Sequence, residues 1–95
     1  MPILQIEHPI RNFDAWKVAF DSDPVGREQG GVRRYRVLRP IDDPNYVMVD
    51  LEFDSSSEAE AVGAALRDLW RRVEVEGLIG SPRARIVEAV ESKEY

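Results

Sequence analysis

Four short segments of the chain alternate apolar and polar residues at period two, and two stretches between them repeat apolar residues at helical spacing. In Pro2–His8 the alternation sets Leu4, Ile6 and His8 on one face and Ile3, Gln5 and Glu7 on the other. Pro9 has no N–H to give a ladder and is expected to end that strand. Asn12 fits as the N-cap of a helix carrying Phe13, Trp16 and Phe20 at i, i+3 and i+7, with Ala15 and Ala19 beside them. Asp23-Pro24 reads as a cap and first-turn pair, which predicts a short helical turn over Pro24–Gln29, stopped by Gly30-Gly31.

A second strand, Val32–Arg39, sets Val32, Arg34, Arg36 and Leu38 against Arg33, Tyr35, Val37 and Arg39. The turn formers of Pro40–Asn45 close a hairpin to a third strand, Tyr46–Asp54. Its face of Val47, Val49, Leu51 and Phe53 is wholly apolar, and a slip of one residue would bury carboxylates, so the register is well specified. Ser55 with Glu58, or Ser57 with Glu60, forms a capping box for a helix with Ala59, Val62, Leu66, Leu69 and Val73 on one face and Trp70 on its flank. Gly77 is expected to end it, with Leu78-Ile79 tucked under the sheet edge. A fourth strand, Arg83–Glu91, then turns Ala84 and Ile86 to the helices and Arg85, Val87 and Ala89 outward. The order β-α-β-β-α-β predicts an α+β sandwich: one antiparallel sheet, strand order 4-1-3-2, with both helices on one face.

Ninety-five residues make one domain, 1–95, and a composition of 43% hydrophobic and 33% charged residues is that of a globular chain. The absence of cysteine excludes disulfides, thiolate metal sites and cysteine nucleophiles, and fits a reducing cytoplasm. No apolar run reaches the length of a signal peptide or a membrane span. The net charge of −5 speaks against nucleic acid and anionic membrane as partners. An RNA-recognition domain shares this strand order, but it needs aromatic residues at mid-strand where this chain has Gln5, Glu7, Asp50 and Glu52.

The uncovered sheet face carries acids on the two central strands and arginines on the flanking ones, interspersed with Ile3, Tyr46, Met48 and Val87. Such a half-apolar face suits a homodimer through the sheet face, with the arginines of one subunit meeting acids of the other; the alternative is a solvated face with ordinary ion pairs. Asp50, Glu52 and Asp54 form a D-x-E-x-D, for which pairing with neighbouring arginines outweighs metal binding. His8, the one histidine, is the one side chain whose ordinary pKa lies near neutrality, and is a candidate general base; a hydrogen-bonded surface histidine is the competing reading. No phosphate-binding glycine loop, G-x-S-x-G or H-E-x-x-H occurs.

The element order, the third strand YVMVDLEFD with its capped helix, and the segment HPIRNFDAWKVAF together resemble the dimeric α+β barrel superfamily, above all its antibiotic-biosynthesis-monooxygenase-like proteins. The likeness spans about residues 2–91 and implies ferredoxin-like subunits paired as a dimer. Members include cofactor-independent oxygenases, polyketide cyclases, haem-degrading enzymes, muconolactone-type isomerases, stress-response proteins and ligand sensors. In the oxygenase branch the substrate lies between helices and sheet. The equivalent lining here is catalytic His8 with Trp16, Phe20, Tyr35 and Trp70 around an aromatic or polyketide-like molecule, without metal or dissociable cofactor. At helical spacing Trp16, Phe20 and Trp70 serve equally as plain core. A non-catalytic ligand-binding or stress-associated dimer is the other outcome the resemblance allows.

Overall fold

The computed structural model describes residues 1–76 and 79–95, and the side chains of all of these but 73–76. Strand β1 (Pro2–Pro9) leads through helix α1 (Phe13–Asp21) to β2 (Arg34–Leu38) and β3 (Tyr46–Glu52), then through α2 (Ser56–Glu76) to β4 (Arg83–Glu88). The sheet is antiparallel in the order β2-β3-β1-β4, the order expected, and the fold is ferredoxin-like. Gly77 and Leu78, expected at the helix end and sheet edge, lie outside the described residues.

Register follows the alternation. Leu4 stands opposite Leu51, Ile6 opposite Val49 and His8 opposite Val47, all on the helix side. Ile86 and Ala84 flank Leu4 and Ile6 from β4, and Tyr35 and Val37 flank Leu51 and Val49 from β2. Val47 and Phe53 are wholly inaccessible to solvent, and Ala59 and Val62 from α2 belong to the same buried cluster. Asn12 caps α1 through its side-chain oxygen, which accepts from the Ala15 N–H at 3.0 Å. Ser55 is the residue used at the start of α2: the Glu58 N–H donates to its Oγ at 3.3 Å, and its hydroxyl donates to the Glu58 carboxylate at 3.0 Å.

Four departures from the expected elements have local causes. The Pro24–Gln29 segment is a series of turns, not a helical turn, because Asp23 and Gly26 take positive φ (52° and 67°) and interrupt any helical path. Strand β2 starts at Arg34 rather than Val32, since the Val32 N–H is committed to the Arg27 carbonyl at 3.0 Å. Strand β4 stops at Glu88 because its partner β1 begins at Pro2, opposite it. Strand β1 runs one residue further than expected, through Pro9, which pairs in register with Tyr46 as an end residue without needing its missing N–H.

On the outer face the arginines pair within the subunit. Arg36 meets Asp50 at 2.9 Å and Arg34 meets Glu52 at 3.4 Å; just before β2, Arg33 donates to Asp54 at 2.7 Å. The Tyr46 hydroxyl donates to Glu7 at 2.9 Å, and that carboxylate pushes the phenol pKa upward. Cross-strand neighbours thus supply acids to these arginines within one subunit. Asp50, Glu52 and Asp54 of the D-x-E-x-D are each a partner in one of these ion pairs. No described helix is long and apolar enough to cross a membrane.

Candidate functional site

Between the helices and the sheet lies a half-enclosed, mainly apolar cavity of about 340 Å³. Its floor is the helix side of β1 and β3 (Ile6, His8, Val49 and Leu51), and α1 supplies Trp16, Ala19 and Phe20. Leu66, Leu69 and Trp70 of α2 form the opposite wall, Ile79 closes one side, and the loop after α1 contributes Ser22, Pro24, Val25 and Arg27. The volume lies at the small end of the range for sites that enclose small organic ligands.

His8 is buried, with 3% of its surface exposed. Its Nδ1 lies 3.0 Å from the Pro9 carbonyl, which can only accept, so Nδ1 carries the proton and Nε2 is left as an acceptor. The same carbonyl also accepts from the Gly80 N–H at 3.0 Å. A Cβ at Gly80 would stand 3.0 Å from the Pro9 ring, which would have to give by a few tenths of an ångström. Pro9 and Gly80 thus fix the histidine tautomer from outside the cavity. Nε2 has no partner among the described residues, and His8 is one of the residues that line the cavity. Burial pulls the imidazole pKa below its ordinary 6.5, and the Pro9 hydrogen bond opposes this more weakly. At neutral pH the cavity holds an uncharged imidazole with a vacant lone pair.

Rings continue outward from it. The edge of His8 meets Trp16 at 6.2 Å, Trp16 stacks with Phe20 at 5.0 Å, and Phe20 meets Tyr35 edge to face at 5.2 Å. Of the residues singled out from the sequence, His8, Trp16, Phe20 and Trp70 come together around the cavity, while Tyr35 does not line it. Tyr35 is 47% exposed and borders a shallower polar hollow on the far side of Phe20, with Arg27 common to both spaces.

Arg27 is the residue that sequence reasoning missed. Its guanidinium stacks on Phe20 with Cζ 3.9 Å from the ring centre and approaches Tyr35 at 5.0 Å. Nη1 donates to the Phe20 carbonyl at 2.8 Å, at the C-terminal end of α1 where a cation is favoured. Its backbone N–H donates to the Asp23 carboxylate at 2.9 Å. The one available signal was a lone basic residue inside a turn-rich segment, and nothing in its spacing pointed inward.

No protein-family model matches the sequence, and no curated protein does. Among solved structures the chain is similar to a proposed antibiotic biosynthesis monooxygenase from Nitrosomonas europaea, at 17% identity over 96% of this chain and 100% of that one, with a TM-score of 0.61. A second proposed antibiotic biosynthesis monooxygenase, from Deinococcus radiodurans, aligns at 14% identity over 100% and 98% of the two chains, with a TM-score of 0.67. A dimeric ferredoxin-like protein from an uncultured marine organism aligns at 12% identity over 97% of each chain, with a TM-score of 0.64. The likeness to antibiotic-biosynthesis-monooxygenase-like proteins therefore holds in the fold over nearly the whole chain.

Proposed function

We propose that the cavity holds a small aromatic or polyketide-like molecule and that His8 takes a proton from it. The observation that carries this reading is the buried, neutral imidazole in the cavity lining, its Nδ1 bonded to the Pro9 carbonyl and its Nε2 left as an acceptor. A phenolic O–H or an acidic C–H placed against Nε2 would give its proton to the lone pair and keep its electrons. The product is a phenolate or enolate beside an imidazolium, and return of the proton to another carbon completes an isomerisation or cyclisation of the kind such anions undergo. The flat walls of Trp16, Phe20 and Trp70 suit aromatic rings, with indole and phenyl faces at no cost in buried polar atoms. The polar groups of the described lining are an imidazole, a hydroxyl and a guanidinium, and the proton transfer proposed draws on neither metal nor dissociable cofactor.

The working unit in this reading is a homodimer joined through the sheet face. Half-buried Ile3, Met48 and Val87 stand there with no helix over them, and a solved neighbour is described as a dimeric ferredoxin-like protein. The test is a screen of phenols and hydroxyquinones by tryptophan fluorescence and turnover, on the wild type and His8→Gln. Binding by both, with turnover by the wild type alone, supports the proton-transfer reading. Binding without turnover by either leaves a ligand-binding protein, and no binding at all removes the cavity from consideration.

A further inference from the structure

The cavity's charge says which aromatic molecules it takes. At neutral pH Arg27 is the one ionised side chain in its described lining; His8 is uncharged and the remainder is apolar apart from Ser22. Among the described residues a protein of net charge −5 thus turns a single positive charge, and no carboxylate, to this cavity. The guanidinium is held firmly in place. It is stacked on Phe20, bonded through Nη1 to the Phe20 carbonyl, and its side chain is only 15% exposed.

Asp23 pairs with this charge from one side only. Its carboxylate lies 3.6 Å from the Arg27 Nε, beyond hydrogen-bond length, and the same oxygen accepts from the Arg27 backbone N–H. Asp23 borders the outer hollow and is not part of the cavity lining. Among the described residues Nη2 has no partner. The ion pair with Asp23 engages the Nε side alone, so an anionic ligand at Nη2 would add a charge-assisted hydrogen bond that no described residue supplies. A neutral ligand of the same shape would add no such bond.

We propose that Arg27 makes this site selective for aromatic ligands bearing a carboxylate or an equally ionised oxygen, the anion at Arg27 and the ring between Trp16, Phe20 and Trp70. This rests on the reading of the cavity as a ligand site. Arg27 acts here as a binding residue, separate from the proton acceptor His8.

The probes are 2-naphthoate and its isosteric neutral amide, 2-naphthamide, titrated calorimetrically into the wild type, Arg27→Lys and Arg27→Gln. The wild type is expected to prefer naphthoate by about tenfold or more, the scale of a charge-assisted pair in a partly dry site. Arg27→Lys should keep part of that preference, while Arg27→Gln should bind the two equally, by losing naphthoate affinity and not amide affinity. Equal binding of the two by the wild type overturns the proposal, as does a preference that survives Arg27→Gln. Because Arg27 also holds the end of α1, circular dichroism of each variant precedes the titration; if Arg27→Gln fails to fold, the wild-type ratio decides. If neither naphthyl compound binds but neutral phenols do, this proposal falls and the cavity reading stands; if no aromatic molecule binds, both fall.

Discussion

The layer between helices and sheet is filled at one end and hollow at the other, although β1, β3 and α2 supply both ends. At the filled end Leu4, Phe53, Ala59 and Val62 are buried and none of them borders the cavity. A Cβ at Gly63 would lie 3.8 Å from Leu4, an ordinary van der Waals contact, so α2 and β1 leave little space between them there. At the hollow end the same helix presents Leu66, Leu69 and Trp70, the same strands present Ile6, His8, Val49 and Leu51, and space remains between them. Unfilled volume costs stability in proportion to its size, and larger side chains at Ala19 or Ser22 would fill it. The residues spared are the ones that leave room beside the single histidine. A void that ordinary substitutions could close, beside a neutral imidazole and an arginine, is the space the proposed ligand would fill.

The sharpest break between the two ends should come from Phe53→Ala. Phe53 is wholly inaccessible and its removal leaves a hole that the packed end cannot collapse into, so unfolding free energy should drop by about 3–5 kcal/mol, measured by urea denaturation. Leu69→Ala only widens a space that already exists and should cost clearly less. Similar losses from the two would mean that both ends are packed alike.

Overpacking gives the converse test. Ala59→Leu adds volume where none is free and should cost about 1–3 kcal/mol. Ala19→Leu projects into the cavity and should leave the urea midpoint nearly unchanged while abolishing aromatic binding. A large loss of stability from Ala19→Leu would show the cavity to be closed in solution.

The filled end was legible in the sequence, and the hollow end only in part. Val47, Val49, Leu51 and Phe53 alternate without exception, so face and register followed from one strand, and β1 and β4 fell into place against it. His8 was placed on the correct face by the same parity, but parity says nothing of the tautomer, which depends on Pro9 and on Gly80, more than seventy residues away in sequence. Tyr35 was assigned to the right face too; what parity does not convey is that Phe20 stands between it and the cavity. Arg27 was illegible because its position follows from positive φ at Asp23 and Gly26 and from a carbonyl exposed at the end of α1. Those are products of the folded backbone and have no periodicity to read.

Protonation distinguishes the ends more gently. The folded state holds His8 below its ordinary pKa of 6.5, so between the folded and unfolded values the unfolded chain binds more protons. The stability contributed by the neutral imidazole is therefore present above about pH 6.5 and lost as pH falls below it, with a slope of at most about 1.4 kcal/mol per pH unit. Urea midpoints compared between pH 7 and pH 5 should fall for the wild type, and His8→Gln should flatten that difference. An identical pH dependence in the variant would place the imidazole in water.

The smallest effect belongs to the sheet face that no helix covers, and its size depends on what covers it. Arg36 is 72% exposed at its side chain and pairs with Asp50, which is only 15% exposed. Left to solvent, such a cross-strand pair contributes roughly 0.2–1 kcal/mol, so Arg36→Ala should cost no more than that and the cost should fade as salt is added. Under a second subunit the same substitution leaves the Asp50 carboxylate uncompensated in an interface, and the penalty moves from folding to association. Sedimentation equilibrium separates the two: a dimer through this face should dissociate at lower dilution in Arg36→Ala than in the wild type, and Arg36→Ala with Asp50→Ala should restore much of the loss. Unchanged association in Arg36→Ala would mean that this face stays in water, and that any dimer forms elsewhere.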